Sequence, residues 1–370
     1  MHIVHVAPTP FGAGGLFGGG ERYPVELARA LAHHADVDLV TFGARPGVVR
    51  DPSGLRVRTL RPVRYGHGHP VHPLAPQLPW ALDGADVVHT HHTRSAPSRV
   101  AAVAARMRGQ RLVTTDHGLG GGGWLGLLPA LFDRFLTVSR FSASVLGVPA
   151  DKTRVVYGGA DPRRFAPDPD TGRDGVLFVG RLTPHKGVDR LIRALPDGTR
   201  LIVAGSGGHD PRPPERDYPL LLRQLARGRD VAFPGAVSDA ALPVLHRSAA
   251  VFVLPTVKQD CYGRRFAISE LLGLSVLEAM ASGTPVIASD LDALPEVVRD
   301  GETGFLVTPG DVDELRERIA EVLGDRALAA RMGRRGRELL LERFTWEACA
   351  RHCLAAYREL LEPGAHSGAV

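Results

Sequence analysis

The chain has 370 residues, more than a typical single domain, so we expect two domains that each bury a full core. Hydrophobic residues make up 44% and charged residues 23%, as in ordinary soluble proteins, and no apolar run is long enough to span a membrane. The net charge of +5 favours anionic partners, but the basic residues are scattered and no nucleic-acid-binding motif is present. The N-terminus lacks the features of a signal peptide, so we predict a cytoplasmic protein without a nucleic-acid partner.

The first half of the sequence alternates short apolar runs with helical patterns, which is typical of a doubly wound parallel α/β sheet. The predicted strands are 2–7, 37–42, 57–60, 87–91, 111–115, 135–139 and 153–157, and the predicted helices are 21–33, 97–107 and 142–146. A stretch rich in Pro, Asp and Gly follows, and we interpret residues 161–175 as a linker. Residues 1–160 are therefore predicted to form a first Rossmann-like domain.

A second alternating series predicts another Rossmann-like domain over residues 176–343, followed by a final helix over 344–362. Its strands are 176–179, 201–204, 231–233, 251–254, 286–288 and 305–307. Its helices are 188–194, 219–227, 239–247, 274–281, 294–299 and 312–323, with 327–341 also helical. In such sheets, ligands bind at the carboxyl ends of the strands, where the strand order reverses.

The segment from Glu270 to Glu278 is the most informative motif. Its two carboxylates stand eight positions apart, with Gly273 and Ser275 between them. On a helix of about 3.6 residues per turn, that spacing places both on nearly the same face. A glycine just after the first carboxylate suits a helix N-terminus, which offers free backbone N–H groups to an anion. The motif therefore predicts a site for a phosphate and for sugar hydroxyls, as in a nucleotide sugar.

Three loops after predicted strands are further candidates for ligand contact. The first contains Gly18-Gly19-Gly20 directly before a helix, a context in which backbone N–H groups approach a ligand. The second runs from Gly180 to Gly187, where Arg181 and Lys186 bracket a turn and suit a diphosphate. The third contains Gly205 and permits close approach of a base or sugar, although an ordinary turn explains it equally well.

Several patterns that suggest metals or disulfides have plainer explanations. The two D-x-D pairs lie inside a strand (Asp36, Asp38) and at a helix start, where Asp311 is a predicted N-cap (Asp311, Asp313). Two histidine groups have metal-like spacing, namely 67/69/72 in a Pro/Gly loop and 89/91/92 at a strand end. We predict no metal and no cofactor, and His91 is a candidate for contacting an acceptor. Cys349 and Cys353 are predicted to pack in a core.

Taken together, the motifs resemble the family 4 retaining glycosyltransferases of the GT-B fold. The resemblance runs through most of the chain in an ordered series of short motifs. These are Gly18-Gly19-x-Glu21, Asp86-Val-Val-His89-x-His91, Thr115-x-His117-Gly118, Gly180-Arg181-Leu182-x-x-x-Lys186-Gly187, Gly205-x-Gly207, Phe233-x-Gly235, the Glu270/Glu278 pair and Pro295-Glu-Val-Val298-x-x-Gly301-x-x-Gly304. It implies two Rossmann-like domains facing across a cleft, with the final helix crossing back to the N-terminal, acceptor-binding domain.

The resemblance also implies a role for each matching residue, and we carry these roles over as expectations. Arg181 and Lys186 would neutralise the donor diphosphate, Glu278 would hold the ribose and Glu270 the donor sugar. Backbone groups would complete the donor site, and His117 would lie near the sugar C6 hydroxyl and take part in catalysis. The backbone groups are those of Gly19, Gly205, Val237, Gly273, Leu274 and Ser275.

Two segments depart from the family pattern. The loop 256–269 is longer than usual and carries Lys258, Tyr262, Arg264 and Arg265. These residues suggest altered donor or acceptor contacts, and the alternative is a surface loop without a function. His117 is followed by a run of glycines and Trp124, for which we hypothesise an acceptor gate.

The sequence thus predicts a retaining, metal-independent glycosyltransferase that uses a nucleoside-diphosphate sugar and a small polar acceptor. An aminocyclitol or natural-product precursor fits that description, and the long loop looks similar to bacterial members from antibiotic pathways. The alternatives are a membrane-peripheral transferase that acts on a lipid or glycan, sucrose-synthase-like chemistry, and a nucleotide-sugar-binding protein without turnover. A dehydrogenase is disfavoured because the dinucleotide fingerprint is missing, and a monomer or homodimer is expected.

Overall fold

The computed structural model describes residues 1–10, 18–117, 128–147, 149–208 and 212–362. The chain divides into two compact units. The first contains Met1–Gly158 together with the segment from Trp346 onward, and the second is Gly159–Thr345. Residues 161–175, interpreted above as a linker, thus fall within the second unit. No helix among the described residues is both long and apolar enough to cross a membrane.

The first unit is built on an eight-stranded sheet that is parallel apart from one edge pair. The strand order is β10-β9-β8-β7-β1-β2-β4-β3. The strands are β1 His2–Val6, β2 Asp36–Phe42, β3 Gly47–Arg50, β4 Arg56–Leu60, β7 Val87–His91, β8 Arg111–Thr115, β9 Arg134–Thr137 and β10 Thr153–Val155. Strands β5 Arg64–Tyr65 and β6 Pro73–Leu74 form a separate antiparallel pair.

Among its described residues, the first unit has five α-helices: α1 Gly19–Ala32, α2 Ala96–Met107, α3 Leu128–Leu131, α4 Arg140–Leu146 and α12 Trp346–Leu361. Helix α2 begins where the Ser95 hydroxyl accepts the Ser98 N–H, and Pro97 occupies its first turn. Helix α12 contacts α1 and buries Cys349 and Cys353, both of which are free thiols. The predictions that the final helix returns to the first unit and that these cysteines lie in a core are confirmed.

The second unit is a six-stranded, fully parallel sheet of order β13-β12-β11-β14-β15-β16. The strands are β11 Asp174–Val179, β12 Leu201–Ala204, β13 Val231–Gly235, β14 Ala249–Leu254, β15 Val286–Ser289 and β16 Gly304–Val307. Its helices are α5 Val188–Ala194, α6 Tyr218–Leu225, α7 Leu242–Ser248, α8 Leu274–Ala281, α9 Leu294–Val297, α10 Val312–Gly324 and α11 Arg326–Arg343. The prediction of two Rossmann-like α/β domains is confirmed.

The strand order of the second unit locates its ligand-binding edge. From β11 the chain moves outward to β12 and β13, and then returns to β14 on the other side of β11. The order therefore reverses between β11 and β14, and ligands bind beyond the strand ends at such a point. The segments that follow these two strands contain Arg181 and Lys186 after β11, and Glu270 after β14.

Candidate functional site

The segments after β11 and β14 are joined to each other in the second unit. The N–H of Val257 donates to the carbonyl of His185 over 2.8 Å. Gly187 has a φ of +68°, and a Cβ at this position would overlap the carbonyl oxygen of Pro255. Glycine is thus required here because two backbones touch, and this contact brings Lys186 towards the segment that carries Glu270.

Lys186 and Glu270 form an ion pair at the switch point of the sheet. The Lys186 Nζ lies 2.6 Å from Glu270 Oε2, and the two side chains are 11% and 15% exposed. A phosphate can bind the Lys186 ammonium in place of Glu270, because an ammonium binds phosphate. A sugar can bind the Glu270 carboxylate in place of Lys186, because a carboxylate accepts hydrogen bonds from hydroxyls. The two groups predicted for the diphosphate and the sugar therefore neutralise each other in this structure.

The surroundings of His185 show that this region is electropositive. Burial first, and then the charges of Lys186, Arg181 and Arg264, lower the pKa of His185 to about 3. The imidazole is consequently neutral, and its buried Nδ1 has no hydrogen-bond partner among the described parts of the chain. Arg181 is exposed. Positive charge from several side chains therefore converges on one neutral ring beside the Lys186–Glu270 pair.

The start of α8 supplies unpaired backbone donors. Gly273 is in the left-handed conformation at φ +85°, and no side chain caps the helix. Its carbonyl accepts from the N–H groups of Val276 and Leu277. Within the part of the chain that the structure describes, the N–H groups of Gly273, Leu274 and Ser275 donate to no acceptor. Such a helix start attracts anions through its free N–H groups and its dipole.

The proposed helical spacing of Glu270 and Glu278 is wrong. Helix α8 begins only at Leu274, so Glu270 lies in the preceding loop and shares no helix face with Glu278. The left-handed Gly273 marks this break. Glu278 is on the helix and only 6% exposed, with its Oε2 3.5 Å from Nε2 of the buried His246.

Gly205 has a structural reason to be glycine. Its φ is +148°, and a Cβ would overlap the carbonyl oxygen of Gly180. Its N–H donates to the carbonyl of Gly235 over 2.8 Å. The glycine therefore allows the loops after β11 and β12 to touch, whereas the sequence suggested the approach of a base or sugar. Val237 follows β13 and is half-buried.

The loop 256–269 is a short hairpin held by hydrogen bonds and ion pairs, some of them to residues outside it. Phe266 N–H donates to the Lys258 carbonyl over 2.9 Å, and Gln259 pairs with Arg265. Arg264 is bonded to both Asp260 and Glu215, at 2.8 and 2.9 Å. Lys258 and Arg264 each form an ion pair within the second unit, and their side chains remain 42% and 37% exposed, so the predicted ligand contacts of this loop stay a prediction.

The first unit contains a row of histidines, in which His5 and His91 are buried on strands β1 and β7 and the half-buried His117 follows β8. His5 Nδ1 lies 3.0 Å from His91 Nε2, and His91 Nδ1 lies 3.2 Å from His117 Nε2. Burial lowers the pKa of His5 to about 3. Burial also lowers the pKa values of His91 and His117 well below the usual range, with smaller contributions from neighbouring histidines. His117 is thus a neutral imidazole held by a neutral neighbour.

His91 does not fit the predicted acceptor contact. Its exposure is 0%, and both ring nitrogens are engaged by other histidines. The nitrogens of His5, His89 and His91 lie within 4.8 Å of one another, as ligands of a metal would. The rings of His89 and His91 are stacked with planes 26° apart. His89 also bonds Tyr357 and Thr115.

The remaining predicted residues come from both units, and some of them lie outside the described residues. Gly19 is exposed in the first turn of α1. Asp38 is buried and paired with Arg56 and Arg58, which accounts for one D-x-D pair. The Asp311 carboxylate caps α10, as predicted for the other pair. Trp124 and its glycine-rich surroundings lie outside the described residues, so the gate hypothesis stays a prediction.

Comparison with known proteins decides the family. Residues 161–339 match the model for glycosyl transferases group 1, and residues 17–164 match the model for Glycosyltransferase Family 4. A GDP-mannose-dependent alpha-(1-6)-phosphatidylinositol monomannoside mannosyltransferase of Mycobacterium tuberculosis is 34% identical, over 69% of this chain and 72% of that protein. The chain belongs to the family 4 glycosyltransferases.

Further similar proteins match nearly all of this chain. A D-inositol 3-phosphate glycosyltransferase of Acidothermus cellulolyticus is 30% identical, over 98% of this chain and 90% of that protein. Among solved structures, sucrose-phosphate synthase of Thermosynechococcus elongatus is similar with a TM-score of 0.74 and 24% identity, covering 97% of this chain and 99% of that chain. An Anabaena protein in complex with UDP-glucose gives 0.75 and 20%, covering 97% and 100%. These likenesses show the GT-B fold.

Sequence reasoning missed two features of this glycosyltransferase. The first is His5, which continues the histidine row, because strand alternation alone does not show that β1 lies beside β7. The second is Asp292, whose carboxylate holds the residues just before α8. A signal was available for Asp292, because an aspartate in a short loop between a strand and a helix tolerates left-handed backbone.

Proposed function

We propose that this glycosyltransferase transfers a sugar from a nucleoside-diphosphate donor, with retention and without a metal ion, to a cyclitol-bearing acceptor. The observation that carries the donor assignment is the Lys186–Glu270 ion pair beside the uncapped start of α8. A diphosphate bound here would take Lys186, the free N–H groups and the nearby Arg181. The released Glu270 carboxylate would then accept from hydroxyls of the sugar, as the family resemblance implies.

The charge balance of the site supports metal-independent transfer. A leaving diphosphate develops negative charge as the glycosidic bond breaks, and fixed cations and helix N–H groups stabilise such charge. Lys186, Arg181 and the start of α8 supply these groups without an ion. Each such donor typically contributes about 3 kcal/mol to the transition state. In the retaining mechanism that the resemblance implies, the departing phosphate accepts the acceptor proton.

The relatives favour a cyclitol acceptor. One is named for D-inositol 3-phosphate and others for phosphatidyl-myo-inositol or its monomannoside, so their printed acceptors share an inositol ring. An aminocyclitol has the same cyclohexane ring, with amino groups in place of some hydroxyls. The free and lipid-linked forms differ only in what is attached to the ring, and the experiment must separate them.

Binding of the donor is tested first. Thermal-shift measurements with UDP, GDP, ADP and dTDP, each with and without its sugar, should show a stabilising pair, because a ligand that binds only the folded state raises the unfolding temperature. Lys186→Met should abolish the shift with the nucleoside diphosphate, whereas Lys152→Met, a lysine in the first unit, should preserve it. A full shift with Lys186→Met would refute the diphosphate assignment.

Transfer is tested with the donor found in that screen. The acceptors are D-inositol 3-phosphate, an aminocyclitol such as 2-deoxystreptamine, and vesicles containing phosphatidylinositol. A product with the donor's anomeric configuration, measured by NMR, supports retention, and the acceptor that turns over separates free from lipid-linked cyclitols. If only water accepts the sugar, the cyclitol assignment fails, and if the donor binds without any turnover, the chain is a binding protein.

A further inference from the structure

Asp292 has an unfavourable backbone that calls for an explanation. Its φ is +53°, and it is one of two residues other than glycine with a positive φ among those that the structure describes. It lies between β15 and α9, and its side chain is only 2% exposed. A left-handed backbone is costly for a residue with a Cβ, and glycine would avoid that cost. A buried carboxylate must also be bonded to offset its desolvation.

The Asp292 carboxylate bonds both ends of the 256–269 hairpin. Its Oδ1 accepts from the Lys258 ammonium at 2.5 Å, near the start of the hairpin. Its Oδ2 accepts from the N–H groups of Ser269 and Glu270, at 2.7 and 3.0 Å. The Ser269 hydroxyl also donates to the Val257 carbonyl over 2.9 Å, which closes the base of the hairpin. One aspartate therefore fixes the point where the hairpin returns to the sheet.

These bonds anchor the backbone from which the Glu270 side chain extends. Two consecutive N–H groups on one oxygen leave the backbone at Glu270 little freedom, and the next ordered element, α8, begins at Leu274. From this anchored backbone, the Glu270 carboxylate reaches Lys186 at 2.6 Å. Positioning of this kind matters because a displaced ligand group loses its hydrogen bonds to the substrate.

We infer that Asp292 is a positioning residue that sets Glu270 for the sugar part of the donor, and not for its nucleotide. The inference rests on the proposed function. The nucleotide part is assigned to Arg181, Lys186, the start of α8 and Glu278. Among the described residues, no hydrogen bond or ion pair joins Asp292 to any of these groups. Loss of the Asp292 carboxylate should therefore weaken binding of the nucleotide sugar more than binding of the nucleoside diphosphate.

The test compares Asp292→Gly with Asp292→Asn and the control Asp290→Asn. Glycine removes the carboxylate and also relieves the left-handed backbone, so the variant is expected to fold, which circular dichroism checks. Asparagine tolerates the backbone and keeps an oxygen for the two N–H groups, but loses the charge that holds Lys258. Asp290 is exposed, so its variant changes charge two positions away without touching the hairpin.

Calorimetry with UDP and UDP-glucose, and with GDP and GDP-mannose, measures the two parts of the donor separately. For the pair that wild type binds, Asp292→Gly should weaken the nucleotide sugar by roughly 10- to 100-fold, the usual range for lost charged hydrogen bonds. The Kd of the free nucleoside diphosphate, UDP or GDP, should change less than about 2-fold. Asp292→Asn should fall between wild type and Asp292→Gly, and Asp290→Asn should match wild type.

Kinetics separate positioning from a general structural role. In the transfer assay, Asp292→Gly should raise the donor KM and resemble Glu270→Ala, while the acceptor KM stays unchanged. The inference is overturned if Asp292→Gly binds the nucleotide sugar as wild type does. It is also overturned if a folded Asp292→Gly loses as much affinity for the free nucleoside diphosphate as for the nucleotide sugar. If wild type binds neither ligand of any pair, the proposed function itself fails, which is a different result.

Discussion

Acidification should destabilise the first unit through its buried histidines. His5 has an ordinary pKa of 6.5 in the unfolded chain and about 3 in the folded protein, because burial disfavours its charge. Below the ordinary value the unfolded chain binds a proton that folded His5 does not bind. Stability that is present near neutral pH is therefore lost as the pH falls through this window.

The size of the effect follows from the two pKa values. Between about pH 7.5 and about pH 5, His5 alone should lower the free energy of unfolding by about 2 kcal/mol. His89, His91 and His117 are shifted in the same direction, so the total loss should exceed this value. Carboxylates contribute little over this range, because their ordinary pKa values lie lower.

Urea unfolding followed by tryptophan fluorescence measures this loss. All three tryptophans of the sequence fall within the ranges of the first unit, and Trp346 is 7% exposed against the ring of Tyr23. In His5→Asn, the amide should keep a bond to His91 without titrating, so the pH dependence should shrink by about 2 kcal/mol. His33→Asn, at an exposed position, serves as the control. An equal free energy of unfolding at both pH values would refute the assignment of neutral, buried imidazoles.

Three other predictions concern the second unit and the activity. Gly205→Ala should destabilise the second unit by about 3 kcal/mol, because the new Cβ overlaps the Gly180 carbonyl, whereas Gly207→Ala should cost less than about 1 kcal/mol. Thermal melts by circular dichroism compare the two variants. Asp311→Ala should cost about 1 kcal/mol in the same assay through loss of the α10 cap, and an unchanged melt would contradict the capping geometry. Transfer should continue at an undiminished rate in excess EDTA, and a collapse that Mg²⁺ or Mn²⁺ restores would overturn the metal-free proposal.

The sheets were predictable because apolar runs that alternate with amphipathic helices have few alternative architectures. Helix α5 is observed with the predicted bounds, and the start of α8 was found from its glycine. Strand β3 was missed because it is exposed along its whole length at the sheet edge, so no core pattern marks it. An edge strand can form backbone hydrogen bonds to its neighbour without burying its side chains. A search for periodic apolar residues does not detect such a strand.

The candidate site was predictable in its residue types but not in its pairing. The sequence indicated Lys186 and Glu270 separately, and only the fold shows that they neutralise each other. The same holds for Lys258 and Arg264, because only the structure shows that Asp292, Asp260 and Glu215 lie beside them. Pairing between residues distant in sequence depends on loop paths, and no local pattern encodes these paths.

The return of α12 to the first unit has a consequence for the order of folding during synthesis. The Tyr357 hydroxyl lies 2.6 Å from His89 Nδ1, and Trp346, Cys349 and Cys353 are buried with α1, so the core of the first unit includes side chains translated after the whole second unit. On the ribosome, the second unit can complete its core from one continuous segment. The first unit emerges earlier but must wait with an apolar face uncovered until α12 arrives, which makes it the part of the nascent chain most in need of protection by chaperones.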